Sequence, residues 1–209
     1  MAKEPLQLTT ADGVTLEAEI DVPEACRAAA VLCHPHPLYG GSMSDGVPDI
    51  LFGALPAIGV AALRFNFRGV GRSGGAHGEG RTERHDVQAA VASLAAAAPG
   101  VPLVLAGWSF GGDVSLAVTD DAVAAWLPIA PPLRIGGEES FAAVAGDARR
   151  KRLLVPELDQ YNPPEKASAT VAGWTATELV TVPGADHFLW GHGRFLVDAA
   201  AAFIAELTA

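Results

Sequence analysis

Short runs of β-branched and apolar residues alternate along this chain with longer, alanine-rich amphipathic runs. The short runs have the length of strands and the longer ones have the period of helices, a pattern typical of βα units around a mostly parallel sheet. We therefore predict an α/β fold with a mostly parallel central sheet flanked by helices. An antiparallel opening strand is predicted at 16–20, and later strands at 29–33, 61–65, 103–106, 124–129, 153–155 and 179–182.

The helices predicted between these strands follow from amphipathic periodicity and from the positions of the prolines. Pro48 and Pro56 suit the start and the stop of a short helix around 49–55. Between Ile129 and Arg152 there is room for one short helix and no lid domain. The longer predicted helices cover 84–97, 112–118, 164–172 and 193–207.

Length and composition restrict the class of protein. A chain of 209 residues, 50% of them hydrophobic, is expected to form a single domain over residues 1–209. The net charge of −10 disfavours binding to nucleic acid and to anionic lipid surfaces. No stretch is long and apolar enough to span a bilayer, and residues 1–5 lack the basic-then-apolar pattern of a signal segment. We therefore expect a cytoplasmic protein.

Two local features have plain structural interpretations. Cys26 and Cys33 are too few for a disulfide framework and are expected to be free thiols. The basic run at 149–152, Arg-Arg-Lys-Arg, is expected to be a solvated edge beside a strand.

The most informative motif lies at residues 107–111, Gly-Trp-Ser-Phe-Gly, which follow an apolar strand and precede a helix. Ser109 on a sharp strand-to-helix turn has a strained backbone, and glycines two residues to either side remove side chains that would collide there. The helix that follows points backbone N–H groups at the serine and favours negative charge. Because the motif stands in this context, we interpret Ser109 as a nucleophile rather than as part of an ordinary tight turn.

A nucleophilic serine needs a base, and His187 is the histidine best placed for it. It follows the last predicted strand and precedes the last helix, so it lies at the carboxyl edge of the sheet, where ligands of such sheets bind. The base needs a carboxylate that fixes its tautomer. Asp159 follows the strand after the serine turn and gives the order Ser109, Asp159, His187. Glu157, two residues earlier, is the alternative candidate for this carboxylate, and Asp186 is interpreted as a turn carboxylate.

With these motifs, the chain resembles the α/β-hydrolase superfamily, and within it the small lidless bacterial hydrolases grouped near dienelactone hydrolases. The resemblance covers nearly the whole chain. Its most specific segments are 34–41 (His-Pro-His-Pro-Leu-Tyr-Gly-Gly), 64–73 (Arg-Phe-Asn-Phe-Arg-Gly-Val-Gly-Arg-Ser), the Ser109 turn and 184–188 (Gly-Ala-Asp-His-Phe). The resemblance implies a Ser-His-Asp hydrolase that acts on an acyl bond and needs no cofactor.

The chain departs from that group at two positions. Ser109 stands where true dienelactone hydrolases carry a cysteine, so their substrate is not transferred to this chain. Pro156 stands where a His-Gly pair often precedes the aspartate.

The resemblance also implies an oxyanion hole formed by two backbone N–H groups. The N–H of Phe110 is the first, and the loop 34–41 supplies the second. Prolines cannot donate, which leaves the N–H of His36, Leu38 or Tyr39, and by position we prefer Leu38 or Tyr39.

Two motifs compete with the hydrolase interpretation. The His-x-His pair His34 and His36 occurs in metal sites, but no further ligands stand at a recognisable spacing, so we predict no metal. Residues 69–74 match Gly-x-Gly-x-x-Gly, but too many glycines follow for a helix to begin there. We interpret this segment as a loop at the rim of the site, in which Arg68 ties neighbouring loops together through carboxylates or carbonyls.

The sequence thus predicts a carboxylesterase-like serine hydrolase with an open site. An open cleft favours a small, soluble ester with a modest acyl group as substrate. A thioester or amide hydrolase, an acyltransferase, and a non-catalytic binding protein of the same fold remain alternatives. The oligomeric state is left open, a homodimer included. The apolar walls of the substrate site are predicted to be Trp108, Tyr39, Phe188 and Trp190.

Overall fold

The computed structural model of the chain describes residues 3–208. Within that range the strands are β1 Glu4–Thr9, β2 Thr15–Asp21, β3 Ala28–Cys33, β4 Val60–Phe65, β5 Leu103–Trp108, β6 Val123–Ile129, β7 Arg150–Pro156 and β8 Thr177–Val182. The α-helices are α1 Gly46–Ala54, α2 Glu83–Ala97, α3 Phe110–Leu116, α4 Ala142–Gly146, α5 Pro164–Val171 and α6 Gly193–Leu207. Short 3₁₀ turns lie at Pro37–Tyr39, Leu55–Ile58 and Glu138–Phe141.

The described strands form one sheet in the order β1-β2-β4-β3-β5-β6-β7-β8. β1 and β2 pair antiparallel, as do β2 and β4, and every later pair is parallel. The predicted α/β fold with a mostly parallel sheet flanked by helices is confirmed. That residues 1–209 form a single domain stays a prediction.

The sheet is covered on both faces, and β3 shows this most directly. Its alternate residues Ala29, Val31 and Cys33 belong to one apolar core, whereas Ala28, Ala30 and Leu32 belong to the other. The first core contains residues of α2 and α3, and the second contains residues of α1 and α6. A central parallel strand is buried on both sides, which explains why β3 is apolar throughout rather than alternating.

Three local expectations need correction. The strand β1 lies before the predicted opening strand and pairs with it. The helix predicted at 112–118 begins at Phe110, because the turn at Ser109 leads directly into it despite the two glycines that follow. The basic run at 149–152 is not simply a solvated edge, since Lys151 is buried and donates from Nζ to the carbonyls of Val144 and Asp147.

The segment between β6 and β7 contains a 3₁₀ turn and the short helix α4 and no larger inserted unit. The prediction of a fold without a lid domain is confirmed. In the part of the chain that the structure describes, no helix combines the length and the apolar character needed to cross a membrane.

Candidate active site

Ser109 occupies a strained turn between β5 and α3. Its φ of 54° lies in the left-handed region, where a residue with a side chain is rarely found. The turn is tight enough that a Cβ on Gly107 would collide with the backbone of Gly111. A Cβ on Gly111 would in turn collide with the carbonyls of Cys33 and His34. Glycines are therefore required on both sides of Ser109.

The structure brings Ser109 and His187 within hydrogen-bond distance. Ser109 Oγ lies 2.8 Å from His187 Nε2, although 78 positions separate the two residues in the chain. On the other side of the ring, His187 Nδ1 lies 2.8 Å from Asp159 Oδ2. Because a carboxylate only accepts, Nδ1 carries the proton and Nε2 is free to accept the proton of the serine hydroxyl.

The Asp159 carboxylate is held in place by the loop that follows it. Its second oxygen, Oδ1, accepts the backbone N–H groups of Tyr161 at 2.8 Å and of Asn162 at 3.1 Å. The residue is 2% exposed, and His187 is 6% exposed. Both oxygens are thus engaged, and the oxygen that faces His187 is fixed in direction.

The two rival carboxylates lie elsewhere. Glu157 Oε2 accepts the N–H of Gly184 at 2.7 Å, and Asp186 Oδ1 accepts the N–H of Phe188 at 3.0 Å. Each satisfies a turn of the backbone rather than the imidazole. Of the three acidic candidates, the structure brings Asp159 to His187.

Leu38 and Tyr39, the residues preferred for the second oxyanion donor, have N–H groups that already donate within their own turn. The N–H of Leu38 donates to His36 Nδ1 at 3.3 Å, and the N–H of Tyr39 donates to the His36 carbonyl at 3.1 Å. Pro37 opens a 3₁₀ turn there, so these N–H groups point back into the turn. The N–H of His36 makes no hydrogen bond to any other residue among 3–208, and neither does that of Phe110 at the start of α3.

His34 has a structural place. Its Nε2 accepts the N–H of Phe67 at 3.0 Å, and its Nδ1 lies 2.6 Å from the Pro35 carbonyl. Burial lowers the pKa of this imidazole to about 4, so it is neutral at physiological pH. It joins the loop after β3 to the loop after β4. Among the described side chains, no group of three or more His, Cys, Asp and Glu is arranged to hold a metal ion.

Arg68 ties loops together, as predicted. Its guanidinium bonds Asp86 Oδ1 at 2.9 and 2.7 Å and Asp12 at 2.8 and 3.1 Å. This network connects the hairpin between β1 and β2, the loop after β4 and the start of α2. No helix begins within residues 69–74, since α2 begins at Glu83.

A cavity of about 690 Å³ opens beside Ser109 and His187. All four predicted wall residues, Trp108, Tyr39, Phe188 and Trp190, line it. Trp108 also donates from Nε1 to the His187 carbonyl at 3.2 Å, whereas Trp190 and Tyr39 are largely exposed at the mouth. The cavity is therefore mostly apolar, with several aromatic side chains in its wall, and open to solvent.

Two further residues of the cavity were not predicted from the sequence. The ring of Tyr161 lies 4.6 Å from that of His187, between centroids. Arg134 lies in the loop after β6 and lines the cavity. A signal for Tyr161 was available, because it lies two residues after Asp159. Arg134 follows two prolines at the carboxyl end of a strand, a position where binding residues are common.

Asp113 on α3 anchors the loop that carries Arg134. Its fully buried carboxylate accepts the N–H groups of Leu133, Arg134 and Ile135, each at 2.9 Å. Burial raises the pKa of Asp113 to about 7, and the three N–H bonds only partly oppose this rise. The helix that begins at Ser109 is thus connected directly to the loop after β6.

The raised pKa of Asp113 predicts a pH-dependent stability. Between its ordinary value of 3.8 and about 7, the folded protein holds a proton that the unfolded chain has lost, so the free energy of unfolding falls as pH rises through that window. We expect the Tm of the wild type, relative to that of Asp113→Asn, to fall from about pH 5.5 to about pH 7 and then to level off. Thermal melts of both proteins check this, and a difference that is flat or rises over this range contradicts it.

Comparisons with known proteins find relatives with the same fold. A family model described as serine aminopeptidase, S33, matches residues 26–191. An α/β serine hydrolase homologue from Coxiella burnetii is similar at 33% identity and a TM-score of 0.83, over 99% of this chain and 98% of that one. An α/β serine hydrolase without a lid from Xanthomonas campestris is similar at 30% identity and a TM-score of 0.86, over 100% of this chain and 97% of that one.

A match to an uncharacterized protein of Rickettsia prowazekii is shorter. It shows 34% identity over 119 residues, which is 56% of this chain and 50% of that protein. The match therefore spans about half the length of this curated relative.

Proposed function

The chain belongs to the α/β-hydrolase family described as serine aminopeptidase, S33, and from this premise we propose that it is an esterase that cleaves a carboxylic ester of a small, soluble substrate. The observation that carries the proposal is the hydrogen-bonded series Ser109–His187–Asp159, with both links at 2.8 Å, beside an open and mostly apolar cavity. A serine activated in this way attacks acyl carbons.

In the proposed mechanism His187 Nε2 takes the proton of Ser109 Oγ as the oxygen attacks the ester carbonyl. Asp159 holds the imidazole in the required tautomer and stabilises its positive charge. The alcohol then leaves with the proton from His187, and an acyl-enzyme remains on Ser109. Water activated by the same histidine releases the acid and restores the serine.

We propose that the oxyanion is held by the N–H groups of Phe110 and His36. Both belong to residues that line the cavity beside Ser109, and neither donates to another residue within 3–208. The rings of His36 and Phe110 also pack together, 4.9 Å apart between centroids. Donors that are already in place need no reorganisation when charge develops on the carbonyl oxygen, which is what makes such a pair effective.

An ester that fits this cavity brings its apolar part against Trp108, Phe188 and Tyr161. The volume of about 690 Å³ lies within the range of pockets that bind molecules of drug size. The mouth is not covered by any inserted unit of the described chain, which supports a substrate that reaches the site from water.

The proposal predicts hydrolysis of p-nitrophenyl acetate and butyrate without added metal. A series of p-nitrophenyl esters of increasing acyl length, assayed beside an alanine p-nitroanilide, compares ester with amide cleavage in one format. We expect the esters to be cleaved with a much larger kcat/KM than the anilide, and the rate to decline for the longest acyl chains. A preference for the anilide, or loss of ester activity on treatment with a chelator, contradicts the proposal.

A second experiment, covalent labelling, identifies the reacting residue. A fluorophosphonate is expected to label the protein once, and peptide mass mapping is expected to place the label on Ser109. A label on any other residue contradicts the assignment of the nucleophile.

A further inference from the structure

Arg134 is a positively charged side chain in the wall of a cavity that is otherwise mostly apolar. It lines the same cavity as Ser109 and His187, and it is exposed to the solvent that fills the mouth. A mostly apolar pocket usually obtains its selectivity from a few placed polar groups, so a guanidinium in this wall bears directly on which substrates are bound.

The backbone beneath Arg134 is held from two sides. On one side Asp113 accepts three consecutive N–H groups of the loop, including that of Arg134 itself. On the other side Asn162, whose N–H bonds Asp159, donates from Nδ2 to the Pro131 carbonyl at 2.8 Å. The loop is thus fastened both to the helix that begins at Ser109 and to the loop of the triad carboxylate.

This loop also contains backbone strain. Ala130 has a φ of 47° and Leu133 a φ of 53°, and both residues carry a side chain in the left-handed region. Such conformations are costly and persist where the surrounding structure enforces them, often at ligand sites. The bonds from Asp113 and Asn162 supply that enforcement, and the result is a fixed Cα position for Arg134.

Three carboxylates in the cavity and in the segments that anchor its loops already have other partners. Asp113 is saturated by backbone N–H groups, Asp159 by His187 and its own loop, and Asp45 accepts the N–H of Ser42 at 2.8 Å. Among the described side chains, which do not include that of Glu138, no carboxylate lies within 4.0 Å of the Arg134 guanidinium, whereas Arg64 and Arg68 each have two carboxylate partners. None of these three carboxylates forms an ion pair with Arg134, which is exposed and lines the cavity where a substrate would bind.

We propose that Arg134 is a specificity-determining residue that binds a carboxylate on the substrate, so that the preferred esters are anionic. The inference rests on the proposed esterase function and names its substrate class. A guanidinium binds a carboxylate through two parallel N–H bonds, a geometry that Lys does not offer. The protein as a whole has a net charge of −10 and repels anions. Binding of an anionic ester in the cavity therefore depends on the local attraction of Arg134.

The test uses two pairs of esters that differ only in one charge. In the first pair the charge is on the alcohol side: 4-acetoxybenzoate against its methyl ester. In the second it is on the acyl side: p-nitrophenyl hydrogen adipate against p-nitrophenyl methyl adipate. The variants are Arg134→Gln, which removes the charge, and Arg134→Lys, which keeps the charge but cannot donate two parallel N–H bonds to one carboxylate.

Arg27→Gln is the matched control. Arg27 is exposed and directly precedes β3, at the edge of the sheet opposite the site, where its Nε donates to the Ile58 carbonyl. The substitution Arg27→Gln alters the net charge of the protein by the same amount as Arg134→Gln, so it reports any effect of overall charge alone.

We expect Arg134→Gln to lower kcat/KM for the anionic member of at least one pair by about 5- to 20-fold, mainly through KM. The neutral members should change by less than about twofold, and Arg134→Lys should recover part of the loss. Added salt should reduce the preference of the wild type, because the guanidinium is exposed and screened. The pair that responds shows on which side of the ester the charge is bound.

Two outcomes overturn the inference while the esterase proposal stands. One is an equal loss on charged and neutral esters, which indicates that Arg134 has only a structural role. The other is no loss on either pair.

If the wild type cleaves none of the four esters, the esterase proposal fails, and binding decides the inference separately. Calorimetric titration of Ser109→Ala with 4-acetamidobenzoate and with its methyl ester is then repeated in the Arg134→Gln background. Selective loss of binding of the anion supports the site, and equal binding of both compounds overturns it.

Discussion

Ser109→Ala is expected to lower kcat for ester hydrolysis by about 10⁴- to 10⁶-fold. Alanine lacks the oxygen that attacks the acyl carbon, and neither His187 nor the proposed oxyanion donors can replace it. The residual rate comes from binding and from the N–H groups of the oxyanion hole, so a small activity above background remains. Initial rates with p-nitrophenyl butyrate at saturating substrate measure the loss.

The fold should survive this change. Alanine retains the Cβ of serine, so the turn at φ 54° carries the same strain, and Ser109 Oγ makes its hydrogen bond to His187 rather than to the backbone. We therefore expect an unchanged circular dichroism spectrum and little change in Tm. The matched control is Ser44→Ala, an exposed serine outside the cavity lining, which should retain full activity. Retention of more than about a hundredth of the wild-type kcat in Ser109→Ala contradicts the assignment.

The strand and helix pattern could be read from the sequence because each core element has both a period and a boundary signal. β3 and β5 are apolar throughout, as buried parallel strands are, and α6 begins and ends at the predicted residues. The exception at the amino end has a physical reason. β1 is an edge strand with mostly exposed residues, so its sequence lacks the apolar signal of a central strand.

The nucleophile could be proposed from the sequence because its motif carries its own structural requirement. Gly107 and Gly111 have to be glycine once the turn at Ser109 is formed, and a strand and a helix have to flank it. His187 followed from the position of the last loop. Asp159 was preferred over Glu157 and Asp186 from its position after the strand that follows the serine turn, and of the three it is the one that lies at hydrogen-bond distance from His187.

What the sequence could not reveal is the direction in which loop groups point. The N–H groups of Leu38 and Tyr39 donate hydrogen bonds within the turn that Pro37 opens, and the order of residues does not show this. Lys151 presents a similar case: one charged residue within a basic run is turned inward, where two carbonyls accept from it. Arg134 lies in the cavity only because Asp113 and Asn162 fix its loop, and these contacts span 21 and 31 positions of the chain.

Asp159→Asn is expected to lower kcat by about 10³- to 10⁴-fold with little change in Tm. The geometry of the loop makes this substitution unusually informative. The N–H groups of Tyr161 and Asn162 both donate to Oδ1. Because only the amide oxygen of the new asparagine can accept them, that oxygen occupies the position of Oδ1. Its NH₂ group then faces His187 Nδ1 and favours the tautomer in which Nδ1 accepts. Nε2 carries the proton in that tautomer and cannot take one from Ser109.

Asp186→Asn and Glu157→Gln serve as the matched controls, since each exchanges a carboxylate for an amide a few residues from the site. Each side chain accepts one backbone N–H, from Phe188 and from Gly184, and the amide oxygen can still accept it. Both variants should therefore lose less than about tenfold in kcat. A large loss in Glu157→Gln with little in Asp159→Asn would move the triad acid two residues earlier. Equal small losses in all three would mean that another group orients His187, and the 2.8 Å contact with Asp159 would then have no catalytic part.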